Sequence, residues 1–202
     1  MKINQGIKET SCIVTINVQR RGIADKIESI FKKTVELSEN NMSISEENFF
    51  DCLALVNIGN ALDLITDNER IAATDKISDF FSGKPVSKIE FPDIKQHYMS
   101  NYTVLDFILI EKINIQERIN DNIKGYMNFN VADKAEGYEK DDYIFASKRM
   151  LNFAKGFSII NDKEYSKALS IIEKIGKNNF ENKKIVFVPE NFYTKVPASP
   201  NN

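Results

Sequence analysis

The stretch SISEENFFDCLALVNIGNALDLITDNE, residues 43–69, decides the fold class. Ser43, with Glu46 three residues on, forms a capping-box pair that satisfies two orphaned backbone donors at a helix start. Behind it run Phe49, Phe50, Cys52, Leu53, Leu55, Val56, Ile58, Ala61, Leu62, Leu64 and Ile65. These apolar residues cover more than half a helix circumference, so this helix must be central and buried. Thr66 with Glu69 repeats the capping pair and opens a helix carrying Ile71, Ile77, Phe80 and Phe81. Gly83 suits the left-handed stop of that helix.

Upstream, Cys12, Val14, Ile16 and Val18 alternate with Ile13, Thr15 and Asn17, which predicts a strand over 11–18. Arg20-Arg21-Gly22 breaks that pattern, and Ile23, Ile27, Ile30, Phe31 and Val35 then recur at helical spacing. Downstream, Lys84–Pro92 reads as a connector with a short strand at 87–91. Ile94, Tyr98, Tyr102, Leu105, Leu109, Ile113, Ile119 and Ile123 predict a long helix with a break near Asn114. Residues 125–142 hold two glycines and several turn formers, so they read as the longest loop. Helices are expected at 142–157 and 162–175, the second capped by Asn161 with Glu164 and stopped at Gly176. Lys184–Val188 (KIVFV) reads as a strand closed by Pro189.

The expected fold is therefore mainly α: a single-domain bundle of about six helices with two or three short peripheral β-strands. Strands 11–18 and 184–188 are expected to pair. The domain spans residues 1–195, with a division into two lobes near 125–142 as the alternative and 196–202 as a disordered tail. No internal repeat stands out by eye.

Composition narrows the function classes. The chain has 202 residues, 42% hydrophobic and 28% charged, which is enough to build a core without metal or disulfide staples. A net charge of −2 weighs against nucleic acid as the partner, leaving only a local basic patch to test. Cys12 and Cys52 have apolar neighbours and read as reduced, buried thiols. No signal-peptide core and no membrane span are visible, so a cytoplasmic protein without membrane insertion is expected, with leaderless secretion left open.

Chemistry-bearing residues are sparse. His97 is the single histidine, so no imidazole metal cluster can form. Asp63 and Asp67 would share one face if their helix continued, which makes them the carboxylate candidates for a divalent metal. Asp67 fits equally well as a negative charge at the next helix start. The acidic run 136–142 reads as a solvated loop whose last aspartates cap a helix. Arg20-Arg21, Lys32-Lys33 and Lys183-Lys184 are basic doublets without a nucleic-acid motif around them. No phosphate-cradling glycine loop and no nucleophile elbow occurs.

The reading therefore leans away from an enzyme and expects no cofactor. It favours a protein that acts by surface contact, with another protein or itself as partner: an adaptor, assembly component, or inhibitor and immunity-type factor. The aromatic residues Phe80, Phe81, Phe192 and Tyr193 are the candidate contact points. The alternatives are a carboxylate- and metal-dependent enzyme and a nucleic-acid-associated regulator.

Overall fold

The computed structural model describes residues 2–37, 42–130, 139–177, 184–190 and 192, and only the backbone of 2–11, 37, 42–45, 100 and 101. Tyr193, Lys183, the tail 196–202 and residues 136–138 of the acidic run lie outside the described residues. Six α-helices are present among the described residues: α1 Lys2–Leu37, α2 Met42–Ala61, α3 Asp67–Phe81, α4 Val104–Met127, α5 Asp142–Gly156 and α6 Asp162–Gly176. A 3-10 turn, Tyr98–Asn101, precedes α4. The mainly α reading holds, and none of the expected strands forms among the described residues.

The strand expected at 11–18 is the middle of α1. Cys12, Ile16, Ile23, Ile27 and Phe31 are buried at four- and seven-residue steps, while Val14 and Val18 are exposed. Over eight residues an apolar residue at every second position satisfies both periods, and the longer stripe decides between them. Arg20 occupies one position of that stripe and is 2% exposed, so the basic doublet does not interrupt the helix. With 11–18 helical, its pairing with 184–188 falls away.

Two further boundaries move. Helix α4 runs unbroken through Asn114, and residues 94–97 are extended rather than helical. Ser43 is already inside α2, which ends at Ala61, short of Ile65. The capping boxes at Thr66–Glu69 and Asn161–Glu164 both form, each with side-chain and backbone halves present.

The chain divides into two compact units, Met1–Val104 and Leu105–Asn202. Unit 1 contains α1–α3 and unit 2 contains α4–α6, and each has a non-helical segment after its third helix, 84–97 or 184–189. The internal plan of the two units is the same, contrary to the expectation of no repeat. Helix α2 stops at Asp63, a left-handed residue (φ 56°), with Asp63 N–H on Asn60 C=O and Leu64 N–H on Gly59 C=O. Helix α5 stops at Ser158 (φ 58°), with Ser158 N–H on Lys155 C=O and Ile159 N–H on Ala154 C=O. Both are Schellman stops built on a residue with a Cβ. Each is followed at the same interval by a capping box and a helix of 15 residues. Burial matches position by position: Cys52 with Ser147, Val56 with Leu151, Ala73 with Ala168, and Ile77 with Ile172. In the first helices Gln19 corresponds to Glu111, Ile23 to Ile115 and Ile27 to Ile119, all buried.

Ser158 offers a simple stability test. A left-handed residue with a Cβ costs roughly 1–2 kcal/mol. Glycine removes that strain but gives back about 0.4–1 kcal/mol through the freer unfolded chain. Ser158→Gly is expected to stabilise the protein by about 0.5 kcal/mol in denaturant titration. A loss of stability would show that the Ser158 side chain contributes a contact worth more than the strain.

Candidate functional site

Three assemblies of side chains stand out, two in unit 1 and one in unit 2. The first surrounds Arg20. Its guanidinium donates to Glu69 Oε1 at 2.5 Å, to the Pro92 carbonyl at 2.8 Å and to the Leu64 carbonyl. One side chain on α1 thus ties down the α2–α3 turn and the extended segment together. Burial raises the Glu69 carboxyl, but hydrogen bonds from Arg20 and from the Thr66 backbone outweigh it and hold it below the ordinary carboxylate range. Unit 2 repeats the lock with Lys112, whose ammonium lies 2.8 Å from Glu164, the capping-box acid of α6.

Beside this lock, His97 and Tyr98 close over the end of α2. Tyr98 OH donates to Asp63 Oδ2 at 2.9 Å, and His97 Nε2 lies 3.1 Å from the Asp63 carbonyl. Met99 N–H donates to His97 Nδ1 at 3.1 Å. Nδ1 therefore holds the lone pair, and Nε2 carries the hydrogen donated to Asp63. Burial lowers the His97 pKa, contacts with Asp63 oppose that, and the Arg20 charge lowers it further. The unfolded imidazole takes a proton first, at about pH 6.5. Stability is then complete above that pH and falls as pH drops towards the lower folded-state pKa. Thermal melts from pH 8 to pH 5 (about the window set by the histidine pKa) are expected to show this decline. His97→Gln is expected to flatten it, and an unchanged decline would assign it to another group.

The expected aspartate pair is not a shared helical face. Asp63 lies in the stop beyond α2, and Asp67 opens α3, where it pairs with Arg70 at 3.5 Å. Among the described residues, no group of three or more His, Cys, Asp or Glu side chains is placed to hold a metal ion. Cys52 is buried, and burial with the neighbouring Asp51 charge pushes its thiol up to about 12, so it is no thiolate nucleophile at neutral pH. The basic doublet at 20–21 does not form a phosphate surface, because Arg20 is consumed by the lock. Asp141 stands at the α5 N-terminus without a side-chain cap bond. Asp142 instead accepts from Glu139 N–H at 2.8 Å.

The second assembly is aromatic. Phe31 stacks on Phe80 with ring centroids 3.8 Å apart and also meets Phe81 edge-on at 6.0 Å. Phe81 meets Phe49 at 5.4 Å, and Phe49 meets Phe50 at 5.5 Å. Five rings from three helices thus form one continuous cluster. Phe31 is buried, Phe49, Phe80 and Phe81 are half-buried, and Phe50 is 45% exposed. Val35, one turn beyond Phe31 on the same side of α1, is also exposed. Phe80 and Phe81 are thus the inner wall of the cluster, and Phe50 is its outer end. The residue at the place of Phe50 in unit 2 is Phe145, 51% exposed. Sequence reading did not single out Phe145. Its signal was the spacing to a buried small residue two positions on, Cys52 after Phe50 and Ser147 after Phe145.

The third assembly is the clamp on 184–189. Asn120 accepts from Ile185 N–H and donates to Ile185 C=O, both at 2.9 Å. Gln116, one turn earlier on α4, accepts from Phe187 and Val188 N–H and donates to Val188 C=O. These amide side chains satisfy the backbone of the segment as a neighbouring strand would, although the chain bends at Phe187 and Val188 and belongs to no sheet. Unit 1 uses the same device: Glu28 accepts from Ile89 N–H at 3.0 Å, and Asn17 holds both backbone groups of Ile94. Phe192 follows the clamp and is 42% exposed.

No helix among the described residues is long and apolar enough to cross a membrane. No protein-family model, no curated protein and no solved structure matches this chain.

Proposed function

We propose that the chain acts by contact with another protein or a second copy of itself, through the phenylalanines that its second helices turn outward. The observation that carries this reading is the pair Phe50 and Phe145. The two units match in burial along α2 and α5, and at this one place both leave a large aromatic ring about half exposed. An exposed phenylalanine is among the costlier residues to leave in water, and aromatic residues dominate the energetics of interfaces. In unit 1 the exposed ring is backed by Phe49, Phe80 and Phe81, which form a preorganised apolar wall rather than a mobile side chain.

The test is capture of partners by the tagged full-length chain from its own cells, with light scattering on the eluate. A stoichiometric partner, or a defined self-assembly, is expected with the native chain. It should be lost in the double variant Phe50→Ser/Phe145→Ser and retained in Ile71→Ser, a control at another exposed apolar position. Equal recovery from the double variant and the control would refute the reading.

A further inference from the structure

We infer that the groove between α6 and residues 185–187 in unit 2 is a docking site for an extended, acidic segment of a partner protein, added to the chain as a strand. This proposal concerns unit 2 alone and does not depend on the aromatic contact points.

The first ground is an open backbone edge. Ile185 turns its N–H and C=O towards Asn120 of α4. In an extended chain the groups of the next residue face the opposite way. No hydrogen bond reaches the N–H or C=O of Val186, or the C=O of Lys184, and Val186 is 52% exposed. An edge of this kind is a template for an incoming strand.

The second ground is the repeat, which supplies its own comparison. In unit 1 the corresponding place is closed: Lys76 of α3 reaches across and donates to the Lys88 carbonyl at 2.9 Å. The residue in the place of Lys76 is Ile171, and that of Lys88 is Lys184, so the internal donor is gone and the carbonyl is left open. Exposed Glu90 guards the unit 1 edge with a charge, and its counterpart is Val186. In unit 2 a groove of about 180 Å³ remains, lined by Lys163, Glu164, Lys167, Ala168, Ile171 and residues 185–187. That is smaller than the roughly 300–1,000 Å³ of small-molecule pockets, and it suits one or two side chains of a bound segment.

The third ground is charge. Lys163 and Lys167 lie one turn apart on α6, both exposed and neither with a carboxylate partner. Glu164, between them, is already taken by Lys112. The matching residues of unit 1, Asn68 and Ala72, are uncharged. With Lys184 at the head of the segment, three cations stand around the open groove and none serves as an internal donor, whereas Lys76 of unit 1 is spent on the Lys88 carbonyl. An occupant with carboxylates beside apolar side chains is complementary to this surface.

The probe is a labelled, end-blocked peptide of alternating Glu and Val, titrated with the full-length chain by fluorescence anisotropy. Saturable binding is expected, with the Lys–Val peptide at least about tenfold weaker. A Glu–Val peptide N-methylated on alternate residues should lose binding, because its edge can no longer donate. Val186→Pro should do the same without cost to the fold, since the Val186 N–H bonds nothing. Lys167→Glu, which leaves the backbone untouched, should weaken binding about tenfold. No saturable binding of the Glu–Val peptide, equal binding of the Lys–Val or N-methylated peptides, or full binding by both variants would each overturn the proposal. Capture of a cellular partner that survives Val186→Pro but not Phe50→Ser/Phe145→Ser would leave the aromatic contact standing on its own.

Discussion

Glu69→Ala is expected to lower the free energy of unfolding by about 3 kcal/mol in denaturant titration. The cost arises from what stays behind. Arg20 is 2% exposed, so its charge cannot reach water once Glu69 is gone, and the Pro92 and Leu64 carbonyls answer only part of it. Breaking a buried pair from one side costs about 3–5 kcal/mol, and the 23% exposure of Glu69 places this case at the lower end. The same substitution removes half of the α3 capping box, since the Thr66 N–H loses its acceptor at 2.8 Å. Glu69→Gln keeps an acceptor for Thr66 and should cost less. The pH dependence provides a second readout. A carboxyl held below its ordinary value stabilises the fold above about pH 4.3 and loses that contribution as pH falls through the depressed value. Glu69→Ala should lack this acid component while keeping the His97 component at higher pH. A loss below about 1 kcal/mol would mean that Arg20 rehydrates and the lock is weak.

Gln116→Leu is the second large effect, about 3 kcal/mol, concentrated in the 184–189 segment. Leucine has a similar volume but no polar atoms, so Phe187 N–H, Val188 N–H and Val188 C=O lose their partner at once. Leaving each unpaired inside would cost roughly 1–3 kcal/mol, which the segment avoids by lifting into water. Lifting then exposes Ile185 and Val188, now 1% and 3% exposed, at about 1.5–3 kcal/mol each. The two routes are of similar size, so hydrogen exchange at 185–188 should rise towards that of an open chain while α4 stays protected. Retained protection at Ile185 would mean that Asn120 alone suffices as the clamp. Because the open edge at Val186 exists only while the clamp holds, peptide binding should fall with it.

Legibility followed the range of the interactions. Thr66–Glu69, Asn161–Glu164 and the left-handed Gly83 (φ 78°) were readable because every bond involved spans a few residues. The helix at 49–61 was readable from its apolar content, but only the face carrying Cys52, Val56 and Ile58 is buried, while Phe49, Leu53 and Leu55 are half-buried and Phe50 is exposed. Arg20 was not, since its carboxylate partner lies 49 residues away and nothing beside it in the chain announces burial. The strands expected at 87–91 and 184–188 do not form: Glu28, Gln116 and Asn120 take the backbone groups that a partner strand would have paired. The repeat escaped notice because the two units share burial and capping geometry rather than residue identity. Asp63-Leu64-Ile65-Thr66 and Ser158-Ile159-Ile160-Asn161 agree in shape and burial while sharing only the third residue, Ile65 with Ile160.

The sequence by itself determined the helical class, the caps and most helix boundaries in 66–83 and 142–176, because these are settled by local hydrogen bonds and the period of apolar residues. Only the tertiary structure decided which charges are buried, which extended segments are clamped and which groove is left open. Those outcomes depend on contacts between residues tens of positions apart, where the chain closes on itself and local pattern carries no record of the partner.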